Sequence, residues 1–170
     1  MNLRRATPED ANAIATVHVR SWQAAYQGIV PEAFLRSLSI EAREATWRTT
    51  LQAETSEVYV AEESQEIIGW ISVSRCQDPD SSPITGELYA IYVAPEHWGS
   101  GAGRALWKRG ESYLRASGFL DVVLWVLKEN RRALRFYEVA GFAPDPGREK
   151  VIELGGASLL EIRLRRSLTR

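Results

Sequence analysis

The sequence predicts an α/β fold, a mixed sheet with helices packed on it. Segments with strand spacing and segments with helical spacing alternate along the chain. One strand, "LDVVLWVL" (120–127), is apolar almost throughout, as in a strand buried on both faces. No linker, repeat or low-complexity tract divides the 170 residues, so residues 1–170 read as one domain.

Each element has a local reason. "NLRRAT" alternates and opens the chain as a short strand. Thr7 is a candidate N-cap, with Pro8 at the first helical position and Asp10 three residues after the cap. Ile14, Val17, His18, Ser21, Trp22 and Ala25 then repeat at helical spacing, which predicts a helix over 8–26. Pro31 opens a second helical region that continues through "IEAREATWRTTLQA". "EVYVAEE" and "IIGWISVSR" are strands joined by the polar "SQE" in a hairpin. "CQDPDSSPITG" is a loop, and "ELYAIYV" (87–93) is a strand of β-branched and aromatic residues that Pro95 ends. A glycine-rich stretch follows, then a helix to about Ser117, with Gly118 as the residue beyond its end. Asn130 is placed to cap a helix over "RRALRFYEVA". "KVIEL" and "SLLEIRL" flank Gly155 and Gly156 as a last hairpin, giving seven strands.

Composition excludes several classes of function. A net charge of -1 offers no bulk attraction to nucleic acid or to an anionic membrane. No apolar run approaches the roughly 20 residues of a membrane span. Cys76 is the sole cysteine, so no intramolecular disulfide forms; with no apolar leader in "MNLRRATPED", a cytoplasmic protein is expected. Two histidines and one cysteine are poor material for a metal site, and none is expected.

"EHWGSGAGRALW" (96–107) is the most informative stretch, because Gly99, Gly101 and Gly103 stand where a helix begins. A P-loop needs Lys-Ser or Lys-Thr after its last glycine, and Arg104 stands there. The dinucleotide pattern GxGxxG needs glycine at 104 or 106, and those residues are Arg104 and Leu106. A more general reading fits. A strand entering a glycine-rich turn and then a helix presents free backbone N–H groups beside the positive end of the helix dipole, which suits a pyrophosphate. A tight turn with close helix packing is the alternative.

Taken with its strand, this stretch resembles the cofactor motif of the GNAT superfamily of N-acetyltransferases, [QR]xxGx[GA]. Gly101 and Gly103 match, and Trp98 stands where Gln or Arg is usual. "NRRALRFYEVAGF" resembles the second motif of that family, NxxAxxFYxxxGF, through Asn130, Ala133, Phe136, Tyr137, Gly141 and Phe142. The two motifs lie in the family's order over residues 87–142.

The resemblance implies a strongly twisted, mixed β-sheet of about seven strands flanked by helices, in which the strands at 87–93 and 120–127 splay to admit acetyl-CoA. It implies that backbone groups of Ile91 and Val93 pair with the acetyl and pantetheine portions. The N–H groups from Trp98 through Gly99, Ser100, Gly101, Ala102, Gly103 and Arg104 would hold the pyrophosphate. Asn130 and Ala133 would lie along the pantetheine. Tyr137 would donate to the departing thiolate, and Glu87 occupies a position where some members carry a general base. A homodimer is also within the family's habits.

The chemistry asks for these groups. An alkyl ammonium titrates near ~10.4, so the amine must lose a proton before it attacks at neutral pH. Asn130, Ala133 and Tyr137 share one helical face, so the face meeting the cofactor carries the phenol. Glu87 shares strand parity with Tyr89, Ile91 and Val93 unless a bulge intervenes. By the same resemblance Trp22, Tyr26, Phe34 and Tyr89 are candidates to line the acceptor side, with plain core packing as the competing role for Trp22 and Phe34. The expected activity is transfer of an acetyl group from acetyl-CoA to a primary amine of a small molecule, directly within a ternary complex. A protein or peptide N-acetyltransferase and a non-catalytic acyl-CoA sensor are the alternatives.

Overall fold

The computed structural model describes residues 1–169. Seven strands form one sheet: β1 (Asn2–Arg5), β2 (Glu57–Glu63), β3 (Glu66–Arg75), β4 (Thr85–Val93), β5 (Asp121–Leu127), β6 (Ala143–Leu154) and β7 (Ala157–Ser167). Their order is β1-β2-β3-β4-β5-β7-β6, and β4–β5 is the one parallel pair. The helices are α1 (Ala11–Ala25), α2 (Glu32–Arg36), α3 (Ile40–Ala53), α4 (Ala102–Ala116) and α5 (Arg131–Val139). Among the described residues no helix is long and apolar enough to cross a membrane.

The local signals act as expected at most ends. The Thr7 N–H donates to the Asp10 carboxylate at 2.8 Å, although residues 8–10 form a 3-10 turn and α1 begins at Ala11. Gly118 takes a left-handed φ of 83° and closes α4. The Asn130 Oδ1 accepts from the Ala133 N–H at 3.1 Å and caps α5. Three boundaries differ. The second helical region is two helices, because Ser39 caps α3 through the Ala42 N–H and turns the chain after α2. β4 begins two residues earlier than expected, where Thr85 and Gly86 pair with β5. β6 begins at Ala143, seven residues before "KVIEL"; Pro144 and Pro146 mask it in the sequence, and its register with β7 is broken between Pro144 and Glu149.

The sheet separates two cores. On one face Ile71, Val73, Leu88, Leu106, Leu114 and Tyr137 pack beneath α4 and α5. On the other, Ile14, Val17, Trp47, Val60 and Trp70 pack beneath α1 and α3. Gly110 lets α4 lie close to β3, since a Cβ there would stand 2.8 Å from the Ile71 side chain. A third cluster joins Val30 and Leu35 of the α1–α2 region to Leu127 and Leu159.

Two irregularities of β4 make the site. It pairs with β5 only from Thr85 to Glu87, leaving residues 88–93 unpaired on that edge. It also bulges, because Ser72 pairs with Ala90 and Val73 with Leu88, so Tyr89 has no partner. A bulge adds twist and bends its strand, which accounts for the splay beginning there.

Candidate active site

A cavity of about 550 Å³ lies beside the end of β4 that is unpaired with β5, between that strand, the glycine turn and α5, within the usual range for a small-molecule site. Its lining reaches across both faces of the sheet, from Gly103 and Phe136 on the α4–α5 side to Ser21 and Ala25 of α1. The Ala94 N–H bonds to the Ile68 carbonyl of β3, so by alternation the polar groups of Val93 and Ile91 point to the open edge. The Val93 carbonyl is already taken, accepting from the Trp98 Nε1 at 2.8 Å and the Ser21 Oγ at 3.0 Å. Val93 therefore offers only its N–H to a ligand, and Ile91 offers both groups.

The glycine stretch folds into a turn with free backbone N–H groups, the form an anion cradle would need. Gly99 and Gly101 have φ of 82° and 91°, a region that side-chain-bearing residues avoid. The N–H groups of Gly99, Gly101, Gly103 and Arg104 have no hydrogen-bond partner among the described residues. Gly103 also serves packing, since a Cβ there would meet Phe136 at 3.3 Å. Ser100 is the one member of the stretch that does not line the cavity; its Oγ accepts from the Ala102 N–H instead.

Trp98 is a structural member of the cradle. Its indole N–H ties the turn to the end of β4, and the Arg132 guanidinium lies 3.8 Å from its ring centre. Arg132, Arg104 and Arg135 all line the cavity, and among the described residues none has a carboxylate within 4.0 Å. Three unneutralised guanidiniums beside free N–H groups form a strongly anion-attracting rim. Arg132 was hidden in the sequence because a helix that is basic on one side reads as a solvated face.

Asn130, Ala133 and Tyr137 line the cavity together, as their spacing requires. Tyr137 is 8% exposed, and burial followed by the nearby Tyr26 phenol pushes its pKa well above the ordinary 10. It is one of three converging phenols, since the Tyr26 and Tyr92 hydroxyls lie 2.9 Å apart. Burial raises Tyr92 and Tyr26 likewise, so all three are neutral and able to donate.

Several expected residues lie elsewhere. Glu87 is half-buried but does not line the cavity. The bulge reverses the expected parity: Leu88, Ile91 and Val93 face α4, whereas Glu87, Ala90 and Tyr92 face α1 and α3. Burial, then the neighbouring Asp78 charge, raises the Glu87 carboxyl above its ordinary value. Tyr89 is 70% exposed on the bulge and outside the cavity; Tyr92 takes the place in the wall that the sequence assigned to it. Tyr26 does not itself line the cavity but is hydrogen-bonded to Tyr92, which does. Trp22 packs edge-on against Tyr26 at 5.0 Å and does not line the cavity. Phe34 packs under the β6–β7 turn, where a Cβ on Gly155 would stand 2.5 Å from the Phe34 Cβ.

The model of the family described as "Acetyltransferase (GNAT) family" matches residues 18–142. The uncharacterized N-acetyltransferase YuaI of Bacillus subtilis is 33% identical over 165 residues, covering 96% of this chain and 91% of the relative. yncA from Salmonella typhimurium, solved with its cofactor acetyl-CoA, is similar with a TM-score of 0.76 at 25% identity, covering 100% of this chain and 95% of the other. The PaiA N-acetyltransferase from Thermoplasma acidophilum, in complex with coenzyme A, has a TM-score of 0.72 at 22% identity and 98% coverage of both chains, a likeness of fold.

Proposed function

Because the chain belongs to the GNAT family of acetyltransferases, we propose that it transfers the acetyl group of acetyl-CoA to a primary amine of a small molecule, directly within a ternary complex. The observation that carries this is the open edge of β4, which leads from unpartnered N–H groups and guanidiniums at one end to the Tyr137 phenol in a single cavity.

In this reading the free N–H groups of Gly99, Gly101, Gly103 and Arg104 hold the pyrophosphate, those of Trp98, Ser100 and Ala102 being bonded within the turn, and Arg104, Arg132 and Arg135 balance the phosphate charge. Ile91 holds the pantetheine as an added strand would be held, and the Val93 N–H assists. The Oδ1 of Asn130 is engaged in its cap, so Asn130 contributes its Nδ2 as a donor. The amine nitrogen attacks the thioester carbonyl, a C–N bond forms, the C–S bond breaks, and the amine's surplus proton leaves. Tyr137 donates a hydrogen bond to the sulfur as it gains negative charge. Full proton transfer from so raised a phenol is uphill, so stabilisation of the thiolate is its main contribution. Glu87, on the opposite face of β4, takes the ammonium proton through water.

A small acceptor suits the closure of this side, where Phe34 seats against the β6–β7 turn. The test is thiol release from acetyl-CoA by the purified protein over a broad amine panel. Release that depends on at least one small amine supports the reading; no release above background with any amine overturns it.

A further inference from the structure

We propose that a second, smaller cavity between α3 and the bulged part of β3–β4 anchors a carboxylate on the acceptor, so that the acceptor is an amino acid or another small amine bearing a carboxylate. The inference deepens the acetyl-transfer reading and rests on it for the identity of the reaction.

The cavity measures about 260 Å³, and His18, Arg43, Thr46, Ser72, Ser74 and Tyr89 are among its lining residues. That volume is small for a whole ligand and suits one end of a molecule. Arg43 is its one guanidinium, and no Asp or Glu lines it. Among the described residues the Arg43 guanidinium makes neither an ion pair nor a hydrogen bond; it lies 5.9 Å from the Trp22 ring centre.

His18 supplies the second donor. It is 9% exposed, and its Nδ1 accepts from the Trp47 Nε1 at 3.2 Å. A neutral imidazole that accepts at Nδ1 carries its proton on Nε2. Nothing among the described residues accepts that proton. Ser72 is 2% exposed and its hydroxyl is likewise without a partner. Thr46 already donates to the Ala42 carbonyl. A guanidinium, an imidazole N–H and a hydroxyl thus belong to residues that line one small cavity without a carboxylate. A carboxylate, with two oxygens and about four lone-pair sites, can accept from such a set of donors. One cation matches one negative charge, which favours a carboxylate over a phosphate dianion.

Position links this cavity to the reaction. Ser72 pairs with Ala90 and Ser74 with Glu87, so the cavity lies on the Glu87 face of β4 at the bulge. The His18 ring stacks on Tyr92 at 5.3 Å and 18°, and Tyr92 lines the large cavity, so the two share a wall. Arg43 would take the carboxylate, and Glu87, on the same face of β4 but outside both cavities, would reach the ammonium through water.

The test uses the full chain and matched pairs of acceptors, the free amino acids and their carboxamides, with acetyl-CoA and thiol release as readout. The free acids should be favoured at least tenfold in kcat/KM, expressed in KM, and in Arg43→Gln the acid-to-amide ratio should fall to about one, with Arg43→Lys intermediate. Separately, the same amino acids without acetyl-CoA should perturb the His18 imidazole resonances saturably in the wild type and not in Arg43→Gln. Equal use of acids and amides by the wild type, or an unchanged ratio in a folded Arg43→Gln, overturns the inference. If acetyl-CoA fails to bind in calorimetry the acetyl-transfer reading falls, whereas the imidazole titration decides the carboxylate site independently: no saturable response refutes it.

Discussion

The Tyr137 phenol has lost most of its water and gained two phenolic neighbours, so it is a weak acid and a good hydrogen-bond donor. Tyr137→Phe should lower kcat by about 10²-fold, in line with the loss of one positioned proton donor, and leave acetyl-CoA affinity almost unchanged. Stopped-flow single turnovers beside calorimetry separate the two quantities, and an unchanged chemical step removes Tyr137 from the mechanism. Glu87 is the opposite case, a carboxyl that burial makes a stronger base than usual. In the proposed role of proton acceptor it would work only when ionised. The acid limb of kcat/KM should therefore fall at a pH above the ordinary carboxylate value of 4.5, and Glu87→Gln should abolish that limb. A limb that persists in Glu87→Gln assigns it to another group.

At the scale of elements, the turn between β4 and α4 is held from two sides. Trp98 pins it to the Val93 carbonyl, and Arg132 reaches over from α5 to lie on the indole. A guanidinium stacked on a ring is pre-oriented without being neutralised, so Arg132 supplies charge where a side chain at 98 cannot. Arg132→Ala should weaken acetyl-CoA about tenfold, Trp98→Ala by a similar factor, and the double variant by clearly less than the product. Calorimetric titration reads all three; independent, multiplicative effects would mean that the stack does not act as a unit. The left-handed φ values of Gly99 and Gly101 belong to the same element, and the N–H groups of both glycines are free.

For the whole molecule, the α1–α3 core has a built-in acid sensitivity. Burial, and then the Arg43 charge, hold His18 down to about 3. Its ring is enclosed by Trp22 of α1, Trp47 of α3, Trp70 of β3 and Tyr92 of β4, with no carboxylate among these contacts. The unfolded chain binds this proton below about pH 6.5 and the folded chain does not, so stability is full above 6.5 and falls as pH drops toward 3. The slope is about 1.4 kcal/mol per pH unit. Urea midpoints from pH 7.5 to 4.5 should show it, and His18→Gln should lack it; equal slopes would place the sensitivity elsewhere. Much of this molecule was legible in the residues alone. The alternation of strand and helix, the caps at Thr7, Asn130 and Gly118, the phenol at 137 and the glycines of the cradle all follow from period, backbone freedom and motif, which act over a few residues. What a single bulge does to every later side chain was not legible, because a one-residue slip reverses the face on which each residue lies. So Glu87 left the α4 face, Tyr92 replaced Tyr89 in the cavity wall, Trp98 found the Val93 carbonyl and Arg132 found Trp98. Local order is written in sequence because its interactions are short-ranged; the meeting of α3 with β3, and of α5 with the cradle, was decided only when the sheet twisted and brought distant side chains together.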